Sequence, residues 1–291
     1  MPTLLEFRRS IRSVKNTQQI TRAMKFIAAV YLRKAQEAAL SARPYALELA
    51  RVLRSTMSRI EEPQHALLAR RAEQRILVLV LAGERGLAGA FNANILRRAT
   101  EFFRASKSKK ISVIPIGKKS RDSLKRAGFE FAGEYVNVLA RVKFATAREI
   151  AELVAALYAQ GDVDGVYIVF SEFKTVMSAE LRCEKLLPVE HIAEAEETPA
   201  EKQASRIDYI YEQAAEQLLG KLLPKYVETQ IHRAMLESSA AEYAARMAAM
   251  EAATKNAGDV IEARTLHMNK VRQAAITKEI IEIVSGASST A

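Results

Sequence analysis

From Leu4 onward, apolar or small side chains return every third or fourth position. Leu4, Phe7, Ile11, Val14, Gln18 and Thr21 form one stripe, and Ile20, Met24, Ile27 and Tyr31 continue a neighbouring one. That alternation keeps one face of a helix continuous, so a long helix is expected over about the first 60 residues. Pro44 should kink it or start a new one, because proline removes a donor and crowds the preceding turn.

The period then changes. Ile76 to Leu81 is an unbroken apolar run, the mark of a strand buried on both faces, and it leads through Gly83, Gly86 and Gly89 into a helical stretch from Phe91 to Phe103. Strand, glycine loop and helix open a βαβ unit. Further strands are expected at Ile111–Ile116, Phe129–Val136 and Gly165–Phe170, with helices at Lys118–Ala127 and Phe144–Tyr158. The alternation predicts a small α/β domain with a mainly parallel sheet. Met177 to Leu187 reads as an added strand or hairpin arm. Residues 190–201 carry five glutamates around Thr198-Pro199, an exposed connection, and Ile207 to Tyr211 reads as a last short strand.

The last part of the chain is helical again, from about Gln213 to Ser285. Leu236, Ala240, Tyr243, Met247, Met250, Thr254, Ala257, Ile261, Arg264, Met268, Val271 and Ala275 alternate spacings of four and three, and all but Thr254 and Arg264 are apolar or small. This is a coiled-coil seam of about five heptads. Such a helix would be on the order of 110 Å long, so it is expected to project from the α/β domain. Pro224 should bend it, and Gly258 should thin it locally. Two narrow-seamed terminal helices around a compact middle have one economical arrangement: an antiparallel two-helix coiled coil with the domain as a foot at one end. Alanines at 28, 35, 240, 257 and 275 would let the backbones approach closely. The expected fold is therefore α/β with long terminal helices. The N-terminal coiled-coil helix takes residues 1–60, a small Rossmann-like α/β domain takes 72–211, and the C-terminal coiled-coil helix takes 212–287.

Charge sharpens this picture without choosing a partner. The formal net charge is +10, and residues 1–60 hold twelve basic side chains against three acidic ones. A basic helix attracts nucleic acid, an anionic membrane or an acidic protein surface alike. A nucleic-acid binder would add residues able to reach bases, whereas this helix carries an apolar stripe that calls for a protein partner. The single cysteine, Cys183, excludes an intramolecular disulfide and reads as a buried or half-buried strand residue. No stretch reaches the roughly 18 uncharged apolar residues of a membrane span. The helical pattern begins at once, so no signal or transit peptide is expected.

Candidate chemistry is sparse. The loop Gly83-Glu84-Arg85-Gly86-Leu87-Ala88-Gly89 has neither the Lys-Ser/Thr of a P-loop nor a G-x-G-x-x-G, and Glu84 sits where a phosphate would come. A tight structural turn is the better reading. His65, His191, His232 and His267 lack metal-ligand spacing, and no nucleophile–base grouping stands out. No catalytic, cofactor-binding or metal-binding residue is therefore assigned.

The run Ile11-Arg12-Ser13-Val14-Lys15-Asn16-Thr17-Gln18-Gln19-Ile20-Thr21-Arg22-Ala23-Met24 resembles the N-terminal signature of the gamma subunits of F-type ATP synthases, of bacterial type. So do Ala244–Met250, Ala253–Ala257 and the stretch Arg272–Ala287, almost residue for residue, and Arg85–Gly89 with Asn92 is similar to the family's midchain motif. Ala88 stands where cysteine is usual, and Val30-Tyr31 replaces the common Ala-Lys. The chloroplast insertion with its cysteine pair is absent. The resemblance implies one copy of a non-catalytic rotor shaft per complex, peripheral at the cytoplasmic face of the bacterial inner membrane. It implies alpha and beta subunits of the F1 ring, the epsilon subunit and the c-ring as partners, with no nucleic acid and no cofactor. By the same resemblance, Arg272, Gln273, Thr277 and Glu279 contact the ring, with the facing Met24 and Lys25 in the same belt. Ile280, Ile283 and Val284 sit in the upper bearing, and Tyr209 and Tyr211 touch the c-ring or epsilon. Met24 fits seam packing as well as a bearing role.

Overall fold

The computed structural model describes residues 3–58, 60, 65–176, 178–189 and 215–289. Its elements are α1 (Leu4–Met57), β1 (Arg75–Leu81), α2 (Phe91–Ala105), β2 (Lys110–Ile116), α3 (Lys118–Arg126), β3 (Glu130–Phe131), α4 (Phe144–Gln160), β4 (Gly165–Phe173), β5 (Ala179–Leu187) and α5 (Ala215–Ser289). The long terminal helices and the intervening α/β elements fall where the periodicities place them. The last short strand read at Ile207–Tyr211, and the acidic connection before it, lie outside the described residues.

Neither proline starts a new helix. α1 runs through Pro44 and α5 through Pro224. Each leaves unpaired the carbonyl four residues earlier. Those carbonyls belong to Leu40, a residue 52% exposed, and to Gly220, where an added Cβ would meet no atom within 4 Å, so both prolines lie on open faces of their helices.

Contacts gather the chain into two compact units, residues 30–245 and residues 1–29 with 246–291. In the larger unit five strands pair in the order β3-β2-β1-β4-β5. β1 is parallel to β2 and β4, β2 is parallel to β3, and β5 returns antiparallel beside β4 as the arm of a hairpin. Burial drives this: Ile76 to Leu81 lose all contact with solvent, as a central strand covered on both faces must. The third strand is shorter than its sequence predicts. Only Glu130 and Phe131 pair with β2, and Tyr135 adds a lone bridge to Ile116, because the chain leaves the ladder around Gly133.

The core of this unit is not built from α/β elements alone. Leu53 of α1 and Leu219, Leu223, Val227, Ile231, Ala234 and Met235 of α5 are buried in one cluster with Ile150, Val154 and Tyr158 of α4 and with the strands. Leu32, Ala39, Ala46 and Leu49 of α1 are buried as well. The long helices therefore owe their inner segments to the sheet, which is why the contact units divide inside the helices rather than at their ends.

The smaller unit is the antiparallel pairing of α1 with α5. Phe7 lies against His267 with ring centroids 5.1 Å apart, Arg264 bonds Ser10, Gln18 Nε2 donates to the Thr254 carbonyl at 3.3 Å, and Lys25 Nζ meets Glu251 Oε1 at 2.7 Å. Numbers rise along one helix as they fall along the other.

Candidate contact surfaces of the coiled coil

The seam predicted from periodicity is the seam observed. Leu4, Phe7, Ile11, Val14, Gln18 and Thr21 are half-buried on α1, and Met250, Thr254, Ala257, Ile261, Met268, Val271 and Ala275 are half-buried or buried on α5. The two polar exceptions on α5 each find a polar partner across the seam. The Thr254 hydroxyl lies 2.8 Å from that of Thr21, and Arg264 reaches Ser10. Thr21 also bonds the Gln18 carbonyl at 3.0 Å and Thr254 the Met250 carbonyl at 2.7 Å. Two hydroxyl protons serve three bonds, so the pair alternates donors.

The neighbouring stripe on α1 faces outward instead. Ile20 is 60% and Ile27 56% exposed, with Phe26 at 58% beside them. Only Met24 of that stripe is half-buried within this unit, next to the seam position Ala28. The shift follows from the 3.6-residue turn: the partner covers one narrow stripe, and the adjacent one is left to solvent. These exposed apolar residues belong to the candidate surface; the stripe is visible in the sequence, but its outward orientation is set by the pairing of the helices.

Met24 and Lys25 do not share a level with Arg272, Gln273, Thr277 and Glu279. Lys25 faces Glu251, and the 21 residues from Glu251 to Arg272 amount to about 30 Å of helix. Antiparallel register explains this: with Phe7 at His267, α1 is at its first residues by about residue 270 of α5. Beyond that level α5 runs on without a facing residue among those described. Arg272, Gln273, Thr277 and Glu279 are exposed there, with the Thr277 hydroxyl turned back to the Gln273 carbonyl at 2.9 Å. Ile276, Ile280, Ile281, Ile283 and Val284 are all exposed, from 48% to 71%. Tyr209 and Tyr211 lie outside the described residues.

The glycine loop after β1 is closed by its own chain. Gly83 N–H donates to Asn92 Oδ1 at 2.8 Å, and Asn92 Nδ2 donates to the Arg85 carbonyl. The Glu84 carboxylate accepts from the backbone N–H groups of Lys118 at 3.0 Å, Val138 at 3.0 Å and Leu139 at 3.3 Å. The Lys118 N–H is among the donors that an anion at the start of α3 would use. Cys183 is half-buried on β5, and burial pushes its thiol upward, away from the reactive thiolate. His232 packs edge-on against Phe144, and burial lowers its pKa. Among the described residues no group of His, Cys, Asp or Glu is arranged to hold a metal ion, and no helix is long and apolar enough to cross a membrane.

A second polar cluster, which periodicity did not mark, lies in the larger unit. Glu237, Ser238, Ser239 and Glu242 of α5 are each at most 4% exposed. Glu237 takes Arg43 of α1 through Nε at 3.0 Å and Nη2 at 2.8 Å, and accepts the Phe173 N–H of β4 at 3.1 Å.

A chain whose first and last helices close on each other, and whose middle shares its core with both, is a two-helix coiled-coil protein with an inserted α/β unit. A family model described as ATP synthase matches residues 3–290. The ATP synthase gamma chain of Pelotomaculum thermopropionicum is 46% identical over 288 residues, covering 99% of both chains. That of Solibacter usitatus is 45% identical over 292 residues, again covering 99% of both. The fold is similar to a chain in the OSCP/F1/c-ring structure of Euglena gracilis mitochondrial ATP synthase, with a TM-score of 0.68 and 18% identity over 99% of this chain and 94% of that one. It is also similar to a chain of the central stalk and c-ring of the Tetrahymena thermophila enzyme, with a TM-score of 0.59 and 24% identity over 80% of this chain and 99% of that one. The chain belongs to the ATP synthase gamma-chain family.

Proposed function

We infer that this chain is the central rotor stalk of a bacterial F-type ATP synthase, carrying rotation between the proton-driven c-ring and the catalytic alpha and beta subunits. It does no chemistry of its own. One copy per complex stands at the cytoplasmic face of the inner membrane, held peripherally through the c-ring and epsilon. The observation that carries this reading is the end of α5, which continues past the start of α1 as one helix with large apolar side chains facing solvent. An exposed apolar helix end of that kind calls for a surrounding protein surface.

The assigned contacts follow two levels. Met24 and Lys25, with the exposed Ile20 and Ile27 beside them, form a lower belt, and Arg272, Gln273, Thr277 and Glu279 form an upper one. Ile280, Ile283 and Val284 form the apolar bearing above both. Tyr209 and Tyr211 remain assigned to the contact with the c-ring or epsilon on the family resemblance. Two unlike helices have no threefold symmetry, so each beta subunit meets a different face and its site is biased differently.

The test is complementation. Introduced into a bacterial ATP synthase lacking its gamma chain, this chain should restore assembly and ATP-driven proton pumping in inverted membrane vesicles. Assembly with hydrolysis but without pumping would overturn the rotor reading.

A further inference from the structure

The strand order places β2 and β3 on one side of β1 and β4 and β5 on the other. The carboxyl ends of β1 and β4 are therefore the point where the direction of winding reverses, the position at which open α/β sheets hold their ligands. With Val80 beside Val169 in the ladder, Ala82 and Ser171 lie at that edge. In this chain the position is filled from within, by six consecutive residues of α5.

Each polar side chain there has a defined mate. Ser171 N–H donates to Ser238 Oγ at 3.1 Å. Phe173 N–H donates to one oxygen of Glu237 at 3.1 Å, and both Arg43 bonds go to the other. Arg43 Nη2 also donates to the Phe173 carbonyl at 3.2 Å, closing a triangle of α1, α5 and β4. Ser239 Oγ donates to the Leu139 carbonyl at 3.0 Å. The Glu242 carboxylate packs so tightly on Gly83 that a Cβ there would come within 2.8 Å of it.

We propose that this filled crevice is the torque joint of the protein: Arg43, Glu237, Ser238, Ser239 and Glu242 key the two long helices to the sheet against rotation. The idea rests on the rotor reading above. Apolar packing resists separation but is indifferent to direction. Hydrogen bonds are directional, and turning α5 about its axis would part the Glu237 carboxylate, a buried charge, from Arg43 and the Phe173 N–H that hold it. Four polar groups within two turns of α5, joined by Arg43 of α1, thus do what the surrounding alanines cannot.

The experiment uses the whole ATP synthase carrying this chain, with Arg43→Gln, Glu237→Gln and their combination. ATP hydrolysis and proton pumping are read in the same inverted vesicles with a proton-sensitive dye, against increasing proton gradients. The expected result is hydrolysis within about twofold of wild type, with protons pumped per ATP falling about threefold or more at high gradient, and with Arg43→Lys intermediate. If a charge variant does not assemble, Ser238→Ala and Ser239→Ala give the same shift at smaller size. Assembled variants that melt at lower temperature but pump normally per ATP would overturn the joint. Wild-type chain that fails to restore pumping would instead overturn the rotor reading itself, so the two failures are separable.

Discussion

Glu73 sits between Lys109 Nζ at 2.6 Å and Lys185 Nζ at 3.0 Å, with the Tyr167 hydroxyl at 2.9 Å. Burial alone would raise its carboxyl, but the hydrogen bonds from Lys109, Lys185 and Tyr167 outweigh burial and hold it at about 2, below the ordinary 4.5. A depressed carboxylate stabilises the fold above its unfolded value and loses that contribution as pH falls through the folded one. Glu73→Gln should therefore cost about 2 kcal/mol at neutral pH. The gap to wild type should close as pH falls from about 4.5 towards about 2, as followed by urea denaturation. None of these partners is near Glu73 in sequence, so the residue could not be recognised there. Glu84 was different: its place in a glycine loop already spoke against phosphate, and three backbone donors now bind it. Gly83→Ala should drive the Glu242 carboxylate off its seat and lower the melting temperature of the larger unit, measurable by calorimetry.

At the scale of elements, the coiled-coil seam was legible because a helix repeats its faces every 3.6 residues whatever surrounds it. Its exceptions were legible too, but their meaning was not. Thr254 and Arg264 stood out as polar members, and only the antiparallel pairing revealed Thr21 and Ser10 opposite them. A polar layer of this kind selects register more than it adds stability. Thr254→Val and Thr21→Val should each cost up to about 1 kcal/mol, while the double variant should be near neutral, since removing both partners leaves neither hydroxyl unmatched. A double-mutant cycle by chemical denaturation measures this, and additive losses would contradict it. The single belt implied for Met24, Lys25 and Arg272–Glu279 divided in two because register fixes level along a helix pair, and periodicity carries no register. The shortened β3 has a similar origin, as strand length depends on the partner ladder.

For the molecule as a whole, the upper level of α5 is where shaft and ring should meet. Arg272→Glu is expected to reduce ATP-driven pumping or assembly in the complex by about tenfold while leaving helicity of the isolated chain unchanged, because Arg272 is solvent-exposed and Arg–carboxylate contacts across interfaces are strong when desolvated. Circular dichroism checks the second half and vesicle pumping the first; normal pumping would remove Arg272 from the contact surface. Loss of helicity would show instead that the residue supports the helix.

By itself the sequence determined the two long helices, the stripe by which they face each other, the mainly parallel α/β middle and the family. All of these are written in local period and local motif, which survive any arrangement of distant parts. Tertiary structure alone decided which residue of α1 meets which of α5, that the inner halves of both helices complete the core of the sheet, and that Glu237 and its neighbours fill the crevice at the strand ends. Those outcomes depend on groups far apart in the chain, such as Arg43 and Glu237, being brought within bonding distance. No periodicity records that, because it is set by packing and by the need to satisfy buried polar groups.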